Sequence, residues 1–139
     1  SKGIPYSSEI KEKIFNEIKN GDYQGVSLLG GDPLEPENQE DVLTFLFDFK
    51  SEFPNKNIWV WTGATYNELI NPESDYYTED ILEILNLIDV LVDGEYKKDL
   101  HVNGKYYGSS NQRVINLKEM RENPLILNIE NNIENTINK

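Results

Sequence analysis

The stretch Asn57-Ile58-Trp59-Val60-Trp61-Thr62-Gly63 decides the fold. An apolar run of this length, rich in β-branched and aromatic residues and stopped by a glycine, reads as a buried strand rather than a helix. Two similar runs flank it. Gly25 to Leu29 stops at Gly30-Gly31-Asp32-Pro33, and Ile88 to Val92 stops at Asp93-Gly94. Helical periodicity fills the intervals. Ser7 or Ser8 caps a first helix with Ile10, Ile14, Phe15 and Ile18 on one face, ended by Asn20-Gly21. Asn38 caps a second, with Val42, Leu43, Leu46 and Phe49 inward, ended by the Phe53-Pro54-Asn55 turn. Thr78 caps a third, with Ile81, Leu82, Leu85 and Leu87. Strands alternating with amphipathic helices predict βαβ units and an α/β fold with a mostly parallel sheet.

Beyond the third strand the pattern loosens. Asn103-Gly104 is a turn pair suited to joining two short strands, Gly108 to Gln112 is a loop of small and amide residues, and Val114 to Leu117 is a last strand. The expected organisation is one domain over residues 1–118 and a polar tail over 119–139. In the tail Ile126, Ile129, Ile133 and Ile137 form one weak helical stripe, and a lack of order is the equal alternative.

Composition narrows the function classes. The chain has 139 residues, 13 Lys and Arg against 25 Asp and Glu, and a net charge of -12. Nucleic acid is a poor partner for that field, since phosphate binding rests on Lys and Arg that release counterions. An anionic membrane surface is disfavoured for the same reason. No apolar run approaches the roughly 20 residues of a spanning helix, so the cytoplasm is the expected location. There are no cysteines and one histidine, His101, which excludes thiolate metal sites, thiol nucleophiles and histidine-rich zinc sites within these residues. The first residue is Ser1, so the chain is expected to have been shortened or to start partway through a larger protein.

The three glycine turns belong to one face, because parallel strands place their carboxyl ends together and ligands of α/β folds bind there. Glycine lets a ligand approach the backbone, and Pro33 holds Asp32 extended. Each turn by itself reads equally as an ordinary strand-to-helix connection. None is a phosphate-cradling loop, because the Lys and Ser/Thr of that motif are lacking.

Four segments carry more than this. Leu28-Leu29-Gly30-Gly31-Asp32-Pro33-Leu34, Ile58-Trp59-Val60-Trp61-Thr62-Gly63, Ile88-Asp89-Val90-Leu91-Val92-Asp93-Gly94 and Gly108-Ser109-Ser110-Asn111-Gln112-Arg113 stand in this order, with Phe53-Pro54 between the first two. In that order and spacing the chain resembles the activating proteins of anaerobic ribonucleoside-triphosphate reductase, over residues 3 to 118. The resemblance implies a partial (β/α) barrel of the radical S-adenosylmethionine type, with the N-terminal strand and helix missing. It implies a 4Fe-4S cluster held by a C-x-x-x-C-x-x-C loop, and S-adenosylmethionine bound to the fourth iron by its amino and carboxylate groups. Reductive cleavage of that cofactor gives a radical that takes hydrogen from a glycine of the reductase.

By position in the family motif, Gly30, Gly31, Asp32 and Pro33 are the cofactor contacts, in the segment whose backbone holds the methionine amino group; Thr62, Gly63, Asp93, Asn111 and Arg113 are further candidate contacts. Asp93 either accepts from the ribose or amine or caps the next turn. Arg113 either pairs with the cofactor carboxylate or makes a structural ion pair. Trp59 and Trp61 share one side of their strand, and core packing is weighed against stacking on a ligand for Trp61. His101 reads as a solvated side chain, and Tyr106 and Tyr107 as packing or as contacts to the reductase. The implied partners are the reductase large subunit, a flavodoxin-like electron donor, and a cysteine-bearing segment on the same or another polypeptide. The chain departs from the family in having no cysteine, so it cannot hold the cluster by itself. Three readings compete: an activase lacking its cluster segment, half of a split activase, and a non-catalytic module that docks on the reductase. A plain nucleotide-binding domain is weaker, for want of a phosphate loop.

Overall fold

A computed structural model describes residues 8–21, 25–28 and 31–123. Ser7, Leu29, Gly30 and the isoleucines of the tail lie outside these residues. The elements run α1 (Ser8–Asn20), β1 (Gly25–Leu28), α2 (Pro36–Glu52), β2 (Asn57–Trp61), α3 (Tyr66–Leu69), α4 (Ile81–Leu87), β3 (Val90–Asp93), a 3-10 turn (Lys98–Leu100), β4 (Arg113–Asn116) and α5 (Leu117–Glu122). The sheet order is β1-β2-β3-β4. The first three strands are parallel, with Ser27 opposite Trp59 and Trp59 opposite Val90, and β4 is antiparallel to β3. The expected α/β class with a mostly parallel sheet is what the chain adopts.

Neighbouring parallel strands follow each other in sequence, so crossovers of one hand return on one side of the sheet. That side holds the main core: Leu34, Leu46, Phe49, Ile58, Val60, Ile84, Leu91 and Ile115 are all fully buried. Phe15 of α1 meets Phe45, Phe49 and Phe53 with ring centroids 6.0, 6.0 and 5.4 Å away, fixing α1 against α2 by edge-on aromatic packing. The opposite face carries a smaller cluster, Val90, Val92 and Val114, with Trp59, Trp61 and Tyr107 against it. No helix covers this face among the described residues. The segment from Gly94 to Gln112 does so instead.

At the amino ends of the strands Asp89 is buried, and its carboxylate accepts from Lys50 Nζ at 2.9 Å and from the Ile58 amide at 2.6 Å. At Gly25 an added Cβ would lie 2.0 Å from the Asn57 carbonyl oxygen, so the β1–β2 approach requires glycine there.

Several boundaries differ from the sequence reading. α2 begins at Pro36, two residues before its expected cap, because Pro is pre-set for the first helical turn. Asn38, expected as its cap, donates its amide to the Asp32 carbonyl at 2.9 Å. Thr78 stands two residues before the Asp80 cap of α4 and accepts the Asp80 amide proton at 3.1 Å. The Asn103-Gly104 turn joins no named strands; a single bridge, His101 to Ser109, closes that loop. α3 was not anticipated, although its capping box, Thr65 with Glu68, is written in the sequence. β4 stops at Asn116, which caps α5 by accepting from the Glu119 amide at 2.9 Å. α5 runs across residue 118, with Leu117 buried and Met120 packed on the core.

Two phenylalanines of α2 test this layering. Phe49→Ala should lower unfolding free energy by about 3–5 kcal/mol, by the general cost of emptying a buried aromatic site. Phe47→Ala, at a position 63% exposed, should change it by no more than about 0.5 kcal/mol. Urea midpoints of the two variants check both.

Candidate functional site

The carboxyl ends of β1, β2 and β3 meet at one end of the sheet, and two carboxylates organise it. Asp32 Oδ1 accepts from the Leu34 amide at 2.9 Å and from Thr62 Oγ1 at 2.8 Å. Its Oδ2 accepts from the Gly63 amide at 2.8 Å. Asp32 thus links the turn after β1 to the turn after β2, and Gly63 leaves room for it: an added Cβ there would lie 3.3 Å from Asp32 Oδ2. Pro33 and Leu34 are buried behind the turn, while Gly31 is exposed.

Asp93 is the second organiser. It is 1% exposed and accepts from the Tyr66 amide at 2.6 Å, closing the first turn of α3. Arg113 grips it with two nitrogens, Nε at 3.0 Å and a second guanidinium nitrogen. Asp93 bonds the start of α3, a helix earlier in the chain than the turn it was expected to cap, and Arg113 is in an ion pair with it. The register explains the pairing, because Asp93 and Arg113 are direct partners in the β3–β4 ladder.

The amide loop serves the same end of the sheet. Asn111 Nδ2 donates to the Glu95 carbonyl at 2.8 Å, and Gln112 Nε2 donates to the Gly94 carbonyl at 2.9 Å. Gln112 Oε1 accepts from the Gly108 and Ser109 amides at 2.8 and 3.1 Å. Gly94 takes a positive φ of 100° and donates its amide to the Ala64 carbonyl at 2.8 Å, so the turn after β3 hangs from the turn after β2. The structure therefore brings Gly31, Asp32, Pro33, Thr62, Gly63, Asp93, Asn111 and Arg113 to one end, where Asp32 bonds with Thr62 and Gly63, Asp93 with Arg113, and Asn111 with Ser109 and Glu95.

Some residues that shape the site were not singled out from the sequence. Gln39 is fully buried and donates to the Leu34 and Tyr76 carbonyls at 2.9 and 2.8 Å, while its Oε1 accepts from Thr78 Oγ1. It ties the Asp32 turn to the segment before α4. Its Tyr76 partner is 37 positions away, and no local pattern signals such a contact. Trp61 donates Nε1–H to the Tyr106 carbonyl at 2.9 Å, and the Trp59 and Trp61 rings stack 5.7 Å apart. His101 is exposed and bonded to Tyr96 Oη and Asn103 Oδ1 at 3.1 and 2.8 Å.

Tyr76 reports the electrostatics. Burial pushes its hydroxyl pKa above the ordinary 10.0, and the negative charges of Glu35, Asp32, Glu68 and Glu95 push it in the same direction. The folded value exceeds the unfolded one, so this contribution to stability is complete below the unfolded pKa and is lost as pH rises through the folded value. Alkaline absorbance titration should show a phenol ionising above pH 10.0 that vanishes in Tyr76→Phe. Arg113→Ala strips Asp93 of its cation inside the protein and should cost about 3–5 kcal/mol, measured by urea unfolding.

Residues 1–115 match a family described as a 4Fe-4S single cluster domain. An anaerobic ribonucleoside-triphosphate reductase-activating protein of Salmonella typhi is 39% identical over 119 residues, covering 84% of this chain and 72% of that protein. Its counterpart in Escherichia coli (strain K12) is 37% identical over 119 residues, with the same coverages of 84% and 72%. That of Enterobacteria phage T4 is 37% identical over 114 residues, covering 81% of this chain and 65% of that protein. No solved structure matches the chain significantly. The 139 residues do not fit an iron–sulfur cluster themselves: they include no cysteine, and no group of three or more His, Cys, Asp or Glu among the described residues is placed to hold a metal ion. With relatives so named aligned along most of its length, the chain belongs to the family of anaerobic ribonucleoside-triphosphate reductase-activating proteins.

Proposed function

We propose that the chain serves the activation of anaerobic ribonucleoside-triphosphate reductase, forming the reductase's glycyl radical by reductive cleavage of S-adenosylmethionine. The observation that carries this is the identity of 37–39% to activating proteins across about five-sixths of the chain. The proposed scaffold is a partial (β/α) barrel, supported by the sequential parallel strands with their helices on one side. The proposed cofactor end is the one built by Gly30, Gly31, Asp32, Pro33, Thr62, Gly63, Asp93, Asn111 and Arg113.

That end suits a cationic ligand. Asp32, Glu35, Glu68 and Glu95 all act on Tyr76 there, and S-adenosylmethionine carries an ammonium and a sulfonium charge. Asp32 and Arg113 then act as positioning residues. Asp32 sets its own turn against Gly63, and Arg113 keeps Asp93 at the start of α3. When bound, S-adenosylmethionine supplies a carbon radical on one-electron reduction. In this reading the thiolates for the iron–sulfur cluster come from outside these 139 residues, on the same or a second polypeptide.

The lack of any cysteine supports a second reading, a module that docks on the reductase without catalysis. The intact mass and peptide map of the protein from its natural source separate the two, together with anaerobic incubation of that protein with reductase, S-adenosylmethionine and a strong reductant. The activase reading expects a C-x-x-x-C-x-x-C segment in the purified protein and a glycyl-radical signal in the electron paramagnetic resonance spectrum. A cysteine-free protein that binds reductase and yields no radical leaves the docking module.

A further inference from the structure

The segment Gly94–Gln112 is a strap, and its outer side differs from the rest of the surface in two ways. Of the six large apolar side chains that stand exposed among the described residues, three fall here: Tyr96 at 51%, Leu100 at 41% and Tyr106 at 66%. Lys97, Lys98 and Lys105 are exposed beside them, against Glu95 and Asp99, which gives the strap one net positive charge in a chain of -12. Exposed aromatic and apolar side chains grouped on one segment mark a protein interface, and lysines around them suit its polar rim.

The strap is also held in shape before anything docks. The Ser110 amide donates to the Leu100 carbonyl at 2.8 Å and the Val102 amide to the Gly108 carbonyl at 3.1 Å. Ser109 is buried, and its Oγ accepts from the Lys97 amide at 3.1 Å. Tyr96 lies over Gly108, where an added Cβ would sit 2.9 Å from its ring. The Tyr106 carbonyl is fixed by Trp61, and its ring meets Trp59 at 5.1 Å between centroids. From there an open cleft of about 350 Å³ continues along β1 and β2, lined by Val26, Ser27, Trp59, Trp61 and Tyr106 among others. A preformed surface loses little conformational entropy on binding.

We infer that the outer side of the strap, with Tyr106, Leu100 and Tyr96 as apolar anchors and Lys97, Lys98 and Lys105 around them, is the docking surface for the reductase, at a patch of apolar residues rimmed by carboxylates. This rests on the activation reading above. The lysines set the charge of the partner patch. The place of the strap sets its identity, since the strap leaves the sheet at Gly94, hung from Ala64 beside Gly63. A protein seated on it stands next to the end of the sheet where the activation chemistry is proposed to occur.

Binding of the unaltered chain to its cognate anaerobic ribonucleoside-triphosphate reductase, followed by biolayer interferometry at several salt concentrations, gives the reference. Tyr106→Ser and Leu100→Ser should each weaken binding by about tenfold or more, the range of interface anchors. Lys98→Glu with Lys105→Glu should slow association and flatten its salt dependence. Phe47→Ser and Leu82→Ser, exposed apolar positions on α2 and α4, serve as controls and should bind as the unaltered chain does. Circular dichroism melts confirm that each variant is folded. Equal binding by the unaltered chain and the strap variants, or equal loss in the controls, overturns the strap assignment and leaves the activation reading in place. No binding by the unaltered chain overturns that reading and the strap assignment with it.

Discussion

Each crossover between neighbouring parallel strands returns on the same side of this sheet, and the rest of the architecture depends on that constraint. It gathers α1, α2, α4 and α5 on one face, where Phe49, Ile58, Leu91 and Ile115 are sealed from water. The other face is left to the two tryptophans of β2, three valines and the strap from Gly94 to Gln112. A sheet whose strand order reversed midway would have covered both faces with helices and closed that surface. The same regular order sends the strand ends to one side of the molecule, so four motifs far apart in sequence become neighbours.

The polar groups at those strand ends are joined to one another. Asp32 is held by Thr62 and Gly63, Asp93 by Arg113 and Tyr66, and Gln112 by Gly94, Gly108 and Ser109. A buried carboxylate without donors costs several kcal/mol, so such groups are satisfied within the protein before a ligand arrives. The consequence for function is preorganisation. Side chains that sequence motifs mark as candidate ligand contacts bond within the protein and set the geometry of the glycine-containing turns. A single deletion in this system loosens two turns at once, because each carboxylate bridges two segments.

Charge divides the molecule in a comparable way. The strand-end region is rich in carboxylates, which add to burial in raising the Tyr76 pKa, while the strap carries more lysines than acids. The proposed cofactor end and the proposed docking strap therefore differ in the charge that they present.

By itself the sequence determined the three parallel strands, the α/β class and the three glycine turns at one end. Apolar runs of strand length, helical periodicity and strand-stopping glycines are local signals, and Asn57–Trp61 and the end of α1 fall where those signals put them. It also determined that no thiolate chemistry resides in these residues, since that needs only a count of cysteines. The four-motif order indicated the family because spacing carries along the chain. Only the tertiary structure decided the partners of the polar groups. Whether Arg113 faces a ligand or Asp93 depends on the β3–β4 register, and Gln39 finds Tyr76 across 37 positions. It alone decided that the loop after β3 folds back over Trp59 and Trp61. Pairing at such separations depends on how the whole chain packs, and no short window of sequence carries that information.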